Sequence, residues 1–346
     1  MSPARRTLAR RSAFALAWSV AAFVAGQLAL GLAVEHWLPA TRDPEYAYQT
    51  ERLRARCAEM PDRPLVLALG SSRVANGLRG GPADLGPERR PALVYNFGVF
   101  GSGPYLNNLL LRRLFAEGVR PDLLLLEVLP PAFNQPRDRP VEETWLDAAR
   151  LRDAERVALA HYHTEPSRSL RQWLKGRVPC LWHRAHLHAL LAAEPAADPG
   201  ATNDPYGWSP VWQEISPEHR REHSAYARTQ YAVAWGDFRL APGPDRAMAD
   251  ALSACRQSNV PVALLLMPEG PTFRANYSPS MRAGLDDYLG AVSRRWGVPI
   301  IDARDWLPDD AFADSHHLTR DGAVAFSDRL EREALSPLLR DPPARR

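Results

Sequence analysis

Short apolar runs that alternate with helix-like segments constrain the fold of this chain more than any other feature of its sequence. In chain order they are PLVLALG (64–70), PALVYNFG (91–98), PDLLLLEVL (121–129), VPVALLLMP (260–268) and VPIIDARDW (298–306). Continuous apolar runs of this length are typical of parallel strands that are buried on both faces. Segments with helical periodicity lie between or after them, at 105–117, 244–257, 279–296 and 319–338. This order predicts an α/β fold with a doubly wound parallel sheet, which binds ligands at the carboxyl ends of its strands.

An uncharged segment near the N-terminus predicts a membrane anchor. It runs from Ser12 to Val34, close to the roughly 20 residues that cross a bilayer as a helix. Arginines precede it and a mildly acidic stretch follows it, so the positive-inside rule predicts a cytoplasmic tail (1–11), a single-pass anchor (12–34) and an extracytoplasmic remainder, periplasmic or at the cell surface. A cleaved signal peptide is the alternative, because Gly31-Leu32-Ala33 offers small residues to a signal peptidase. Both interpretations place most of the chain outside the cytoplasm.

Composition excludes several classes of partner and scaffold. The 43 Lys and Arg residues nearly balance 40 Asp and Glu residues, and the basic excess lies in the two tails. Nucleic acid is therefore not expected as a partner. The cysteines Cys57, Cys180 and Cys255 are too few and too widely spaced for a zinc motif or a disulfide framework, although one bridge of unassigned pairing stays open in an oxidising compartment.

The rest of the chain predicts one α/β domain that is interrupted by an insertion. Residues 35–63 are polar with a short helical section and predict a stalk, the α/β domain spans 64–338, and 339–346 form a C-terminal tail. Between about 131 and 242 the alternation gives way to a stretch containing Trp, His and Pro, with helical sections near 141–158 and 166–192. We expect this insertion to lie over the sheet, either as a substrate-facing lid or as a structural excursion.

Two segments concentrate reactive side chains at predicted strand ends or the turns that follow them. LGSSR (69–73) follows the first strand, and DSHHL (314–318) precedes the last helix. A serine in the tight turn can present its hydroxyl at the sheet edge, with N–H groups of the following helix N-terminus available to an oxyanion. Asp314 is three residues ahead of His317 and can orient its imidazole as a base. By spacing alone, an ordinary turn and an Asp N-cap explain the pattern equally well.

Together these blocks resemble the SGNH/GDSL hydrolase superfamily, over about 64–130 and 245–338. The resemblance implies a flavodoxin-like, three-layer α/β/α fold and serine acyl-transfer chemistry that needs no cofactor and no metal. It implies Ser72 as the nucleophile, with Ser71 replacing the family's aspartate, His317 as the base and Asp314 as its orienting carboxylate. The block DSHHLTRDG, which ends at Gly322, is the most specific match. His316 is then a neighbour of the base.

The remaining blocks imply the oxyanion and substrate contacts. NFGVFGSG (96–103) matches the second block, so Gly101 would donate its N–H to the oxyanion together with Ser72, Gly98 being the alternative. Asn96 of this block and Arg73 beside the nucleophile are expected substrate contacts, with a salt bridge inside the fold as the alternative for Arg73. The third block departs from the family, because LEVLPP (126–131) has no asparagine in the turn. We expect either that Asn134 reaches the oxyanion or that Glu127 occupies this position.

The anchor and the GSSR sequence make the chain similar to membrane-anchored envelope proteins of the alginate O-acetylation and D-alanyl transfer type. This similarity implies an esterase or O-acyltransferase that acts on an envelope glycan or a related acyl ester, with envelope-assembly proteins as partners. An inactive SGNH-like binding or scaffold protein is the alternative. Five further histidines, at 161, 163, 183, 186 and 188, lack supporting carboxylates for a metal site. Four tryptophans could stack on sugar rings or simply pack: Trp173, Trp182, Trp208 and Trp212.

Overall fold

A computed structural model gives the structure of residues 3–84, 91–134, 150–162, 178–184, 187–188, 203–210 and 215–340. The described residues divide into two units. One draws on Met1–Ala47 and Asp147–Asp198, and the other, which contains the sheet, draws on Tyr48–Leu146 and Pro199–Arg346. The expected insertion at 131–242 is thus shared between the two units.

Six strands form a mostly parallel sheet. They are β1 (Leu65–Gly70), β2 (Gly81–Ala83), β3 (Ala92–Gly98), β4 (Leu123–Glu127), β5 (Val262–Leu266) and β6 (Ile300–Asp302). Their spatial order is β2-β3-β1-β4-β5-β6, and every neighbouring pair is parallel except β2 with β3. The five parallel strands, counted along the chain, therefore stand in the order 2-1-3-4-5. The prediction of a parallel α/β sheet is confirmed.

The helices mostly begin at a proline. Those described are α1 (Pro3–His36), α2 (Pro39–Arg42), α3 (Pro44–Glu59), α4 (Ser72–Gly77), α5 (Pro104–Ala116), α6 (Pro130–Phe133), α7 (Asp153–Ala160), α8 (Pro179–Trp182), α9 (Pro217–Gln230), α10 (Pro242–Gln257), α11 (Pro271–Arg274), α12 (Pro279–Trp296), α13 (Arg320–Leu330) and α14 (Ser336–Arg340). Proline suits the first helical turn because its fixed φ is already helical and its missing N–H has no partner there. Many of the 32 prolines therefore start helices rather than break them.

Helices cover both faces of the sheet. On one face, Ala68, Leu125 and Leu265 belong to a buried cluster that includes Val74 of α4 and Phe326 of α13. The alternate strand positions point to the opposite face and are also buried throughout β1, β3, β4 and β5. Helix α5 contacts both β1 and α10. Burial on two faces is the reason that these strands read as continuous apolar runs.

The helix predictions in the α/β frame hold closely, with differences at the end of the chain and in the insertion. Of the helical sections expected near 141–158 and 166–192, much lies outside the described residues, which contain α7 and α8 there. The segments expected at 105–117, 244–257 and 279–296 are α5, α10 and α12. The final helix ends earlier than expected, at Leu330, and a π-helical turn (Glu331–Leu335) joins it to α14. Helix α9 was not predicted, because its sequence PEHRREHSAYARTQ has no apolar stripe.

The first unit contains the long N-terminal helix. Residues Arg10–His36 of α1 are long and apolar enough to cross a membrane, and no residue of their most apolar 18-residue window is buried in the described structure. Arg42 closes the end of α1, since its Nη2 donates to the carbonyl oxygens of Val34 (2.6 Å) and Glu35 (2.7 Å). These are carbonyls that a helix C-terminus leaves without intrahelical partners. The helix is compatible with a membrane anchor or with a signal sequence.

The expected stalk at 35–63 needs correction. Most of it is helical, in α2 and the 16-residue α3, and from Tyr48 onward α3 belongs to the unit that contains the sheet. Gln49 donates through Nε2 to the main-chain carbonyl of Gly98 (3.1 Å), and the main-chain carbonyl of Gln49 accepts from Tyr95 Oη (2.8 Å). Leu53 is fully buried. The later half of α3 is therefore an integral part of the α/β unit.

Candidate active site

Ser72 lies directly after the carboxyl end of β1, at the first residue of α4. Ser71 caps this helix by accepting a hydrogen bond from the Arg73 N–H through Oγ (3.2 Å). Gly70 allows the sharp turn, because a Cβ at that position would lie 2.3 Å from Val74 Cγ2 and 2.6 Å from Glu127 Oε2. Strand β1 stands between β3 and β4, where the strand order reverses. Ligands of doubly wound sheets bind at such a point.

Three predicted side chains meet at this sheet edge. Ser72 Oγ is 2.8 Å from His317 Nε2, although the two residues are 245 positions apart. His317 Nδ1 is 2.7 Å from Asp314 Oδ2. Ser72, His317 and Asp314 therefore form a continuous hydrogen-bonded chain. A nucleophile, a base and an orienting carboxylate would need this arrangement.

A closed loop presents the histidine and the aspartate. The Ala313 N–H donates to the carbonyl of His317 (2.8 Å), and Asp314 Oδ1 accepts from the main-chain N–H groups of His316 and His317 at 2.7 Å each. Thr319 caps α13 immediately afterwards, accepting from the Gly322 N–H through Oγ1. The aspartate is thus fixed by the main chain of the loop as well as by the imidazole.

Burial and the contacts among Asp314, His316 and His317 set the protonation states of Asp314 and His316. Burial alone would raise the pKa of Asp314, but its interactions with His317 and His316 outweigh burial and hold that pKa well below the usual range. Burial and the neighbouring His317 lower the pKa of His316 to about 4. Asp314 is therefore ionised and His316 neutral at neutral pH.

His316 is packed rather than placed to act as the base. Its ring stacks on Phe273, with centroids 5.0 Å apart, and meets the edge of Tyr231 at 5.4 Å. Among the described residues, Asp314, His316 and His317 also form a group whose potential metal-ligand atoms lie within 4.8 Å of one another. Asp314 Oδ2 and His317 Nδ1 already bind each other, as a serine triad requires.

A pocket of about 490 Å³ opens above Ser72. Gly101 lines it from the turn after β3, with φ at +73°, a conformation that favours glycine. Within the described part of the chain, the N–H groups of Ser72 and Gly101 have no hydrogen-bond acceptor. Both are therefore free to donate to a ligand oxygen.

Residues that sequence reasoning missed form the opposite wall of this pocket. Helix α9 contributes His223, Tyr226 and Gln230, and Phe100 projects from the turn after β3. Phe100 and Tyr226 are exposed aromatic side chains, 51% and 68% accessible. For the three residues of α9, the only signal in the sequence was their location in the expected insertion, because α9 lacks an apolar stripe. Phe100 lies within the NFGVFGSG block, where only the glycines and Asn96 were singled out.

Arg73 does not contact the pocket. It is buried, donating from Nη1 to Glu269 Oε1 (3.2 Å) and from Nη2 to the carbonyls of Met267 (2.8 Å) and Pro268 (3.1 Å). Its Nε lies 3.8 Å from Glu127 Oε1, close enough for an ion pair but too far for a hydrogen bond. The alternative prediction, a salt bridge within the fold, is the correct one.

Asn96 is also structural rather than substrate-facing. It is fully buried, and its Nδ2 donates to the carbonyls of Val74 (2.7 Å) and Leu78 (2.6 Å). Its Oδ1 accepts from the Gly98 N–H at 2.8 Å. The expected substrate contact is therefore wrong, and Asn96 instead joins α4 to the end of β3.

Neither side chain expected near the third block supplies an oxyanion donor. Asn134 donates through Nδ2 to the carbonyl of Ala234 (2.8 Å) and accepts from the Arg239 N–H (2.7 Å), so its amide is used within the fold. Glu127 is buried and accepts from the Ser71 N–H through Oε2. Burial raises the pKa of Glu127, while Arg73 opposes that rise.

Among the four expected sugar-stacking tryptophans, Trp208 is the one whose side chain the structure describes, and it does not line the pocket. Trp208 is buried and donates through Nε1 to the carbonyl of Asn76 (2.7 Å). Trp173 and Trp212 lie outside the described residues, as do His163 and His186. The three cysteines are free in the described structure.

Comparison with known proteins adds one partial match. A family model for an uncharacterised domain matches residues 245–339, a segment that includes Asp314 and His317 but not Ser72. No curated protein matches the chain.

Proposed function

We propose that this chain is a serine acyl esterase or O-acyltransferase of the SGNH/GDSL type. The observation that carries the proposal is the chain of hydrogen bonds from Ser72 through His317 to Asp314, at 2.8 Å and 2.7 Å. The strand order 2-1-3-4-5 supports it, because flavodoxin-like doubly wound folds have this order. The position of Ser72 at the strand-order reversal supports it as well.

The proposed reaction is a two-step acyl transfer. His317 Nε2 takes the proton of Ser72 as Oγ attacks the carbonyl carbon of an ester or thioester, and the N–H groups of Ser72 and Gly101 bind the oxyanion. The protonated imidazole then gives its proton to the leaving alcohol or thiol, which leaves an acyl group on Ser72. In the second step His317 deprotonates water or an acceptor hydroxyl, whose oxygen attacks the acyl carbonyl. The bond from the acyl carbon to Ser72 Oγ then breaks, and the imidazolium returns its proton to Ser72 Oγ. Asp314 stays ionised and stabilises the imidazolium form of His317.

We place this chemistry outside the cytoplasm, on an envelope glycan or a related acylated molecule. The arginine-rich flank of α1 favours a cytoplasmic N-terminus and export of the remainder, and cleavage of α1 as a signal peptide would give the same side. The exposed faces of Phe100 and Tyr226 at the pocket suit the stacking of sugar rings.

Ester hydrolysis by the full-length protein in detergent tests the proposal. p-Nitrophenyl acetate turnover is measured for the wild type, Ser72→Ala and His317→Ala, with folding checked by circular dichroism. Ser280→Ala and His219→Ala are matched controls, because both side chains are exposed and lie outside the pocket. Activity that is confined to the wild type and the two controls supports the proposal. Equal rates in wild type and Ser72→Ala contradict it.

A second function is favoured by the third sequence block, LEVLPP (126–131), which lacks the asparagine of the SGNH/GDSL pattern. Since Glu127 and Asn134 are both engaged inside the fold, the chain lacks the side-chain donor expected there. An SGNH-like protein of this kind could bind a glycan or an envelope-assembly partner without turning over an ester. This hypothesis expects an inactive wild type whose glycan binding survives Ser72→Ala and His317→Ala.

A further inference from the structure

A second polar side chain lines the pocket from the same short helix as Ser72. Asn76 is only 3% exposed, yet it is among the residues that line the pocket with Ser72 and Gly101. Its Oδ1 is buried without a hydrogen-bond partner among the described residues. The hydrogen bond from Trp208 goes to the main-chain carbonyl of Asn76 and leaves the amide group unused.

The unused amide distinguishes Asn76 from the two asparagines discussed above. Asn96 and Asn134 both donate and accept through their side chains inside the fold. A buried amide without partners lowers stability, so its presence calls for an explanation. A ligand that enters the pocket would supply the missing partner.

The direction of the helix brings this amide toward the nucleophile. Residues four apart lie on the same helix face, and side chains lean toward the helix N-terminus. The amide of Asn76 therefore leans toward the turn that presents Ser72. Since Oδ1 is the atom enclosed by protein, we infer that Nδ2 is directed at the cavity.

We propose that Asn76 is a catalytic residue that donates from Nδ2 to the oxyanion, as the third donor beside the N–H groups of Ser72 and Gly101. This inference rests on the proposed acyl-transfer function. It accounts for the departure at the third block, because the donor that neither Glu127 nor Asn134 supplies comes instead from the helix after the nucleophile.

The test compares Asn76→Ala and Asn76→Asp with the wild type in full-length protein. Three quantities are measured: kcat and KM for p-nitrophenyl acetate, the rate of labelling by a fluorophosphonate, and Tm. Loss of one oxyanion donor should lower kcat by about 10²- to 10³-fold, with KM within about twofold of wild type. Labelling should slow in parallel, because the phosphonyl oxygen occupies the oxyanion site. Asn276→Ala is the matched control, since that side chain bonds only to carbonyls of its own turn, at Thr272 and Phe273.

Stability separates a catalytic from a structural role. Because the amide makes no hydrogen bond to the residues that the structure describes, Asn76→Ala should leave Tm unchanged or raise it. If the alanine variant does not fold, Asn76→Asp, which keeps the shape but removes the donor, must show the kcat loss.

Several outcomes would overturn the proposal. They are a kcat within threefold of wild type in both variants, a rise in KM alone, and a kcat loss that follows a lowered Tm. A wild type that neither turns over ester nor reacts with the probe defeats the proposed function itself, and this inference with it. An active wild type with active Asn76 variants defeats only this inference.

Discussion

His317 and Asp314 lie three positions apart in one closed loop. What each side chain can do there depends on which of its atoms makes which hydrogen bond. Asp314 uses Oδ2 for the imidazole and Oδ1 for two main-chain N–H groups. This arrangement fixes which imidazole nitrogen faces Ser72, because the carboxylate holds the proton on Nδ1. The spacing of the DSHHL segment predicted the contact of Asp314 with His317, but it could not predict that His316 would be buried.

Replacing Asp314 by asparagine tests the orienting role. Asp314→Asn should lower kcat for p-nitrophenyl acetate by about 10⁴-fold, because the amide favours the wrong imidazole tautomer. Both main-chain hydrogen bonds to the loop can persist through the amide oxygen, so the circular dichroism spectrum should not change. A variant that retains more than a tenth of wild-type kcat would show that Asp314 does not orient the base.

His316 should make the protein lose stability in acid. The pKa of His316 falls from the usual 6.5 to about 4 in the folded state, so between these values the unfolded chain binds a proton that the folded chain does not. The contribution of neutral His316 to the unfolding free energy is present above about pH 6.5 and is lost as the pH falls toward 4. His316→Phe should therefore reduce the drop in unfolding free energy between pH 7 and pH 4 by up to about 3 kcal/mol. Urea unfolding at the two pH values measures this, and an unchanged drop would rule out the contribution.

At the scale of elements, one buried guanidinium joins the ends of three parallel strands. Arg73 on α4, after β1, contacts Glu127 at the end of β4 and Glu269 after β5. Tyr277, in the loop that precedes α12, donates from Oη to Glu269 Oε1 at 2.7 Å. Arg73, Glu127, Glu269 and Tyr277 thus form one buried cluster. Burial raises the pKa values of both glutamates, and Arg73 opposes the rise. The cluster supports the turn that carries Ser72.

Removing the guanidinium should destabilise the α/β unit. Arg73→Met leaves two buried carboxylates without a cation, which should lower the unfolding free energy by about 3–5 kcal/mol at pH 7. Because acids with raised folded-state pKa values bind more protons when folded, the stability that they contribute falls as the pH rises above about 4.5. The deficit of Arg73→Met should therefore be larger at pH 8 than at pH 5 in urea unfolding. Equal deficits at both values would mean that the carboxylates are not the cause.

At the scale of the whole molecule, the sequence predicted the fold best at the strands that are buried on both faces of the sheet. Strands β1, β3, β4 and β5 were predictable because parallel strands buried on both faces are apolar throughout. The edge strand β2 was missed because GPA is short and contains proline, features of an antiparallel edge. The expected ligand contacts of Arg73, Asn96 and Asn134 were not found for a different reason, and only for Arg73 had a salt bridge within the fold been the stated alternative. The sequence shows that a polar residue lies near a reactive turn, but the partners of its side chain come from distant segments such as 234–239 and 267–269.

The predicted location of the whole protein depends on the N-terminal helix. If α1 is an anchor with the predicted orientation, a C-terminal alkaline phosphatase fusion should be active and should stay with the membrane after alkaline carbonate extraction. If α1 is cleaved, the fusion should be active but soluble, with a new N-terminus near Val34. An inactive fusion would place the C-terminal part in the cytoplasm and contradict both versions.

The most direct test of the account is to locate a covalent adduct on the nucleophile. The folded full-length protein is treated with a fluorophosphonate, digested, and analysed by peptide mass spectrometry, with His317→Ala treated in parallel. The account predicts one adduct on Ser72 in the wild type and a strongly reduced yield in His317→Ala. An adduct on Ser71 or on any other serine, or no adduct on the folded wild type, would contradict the assignment of Ser72 as an activated nucleophile.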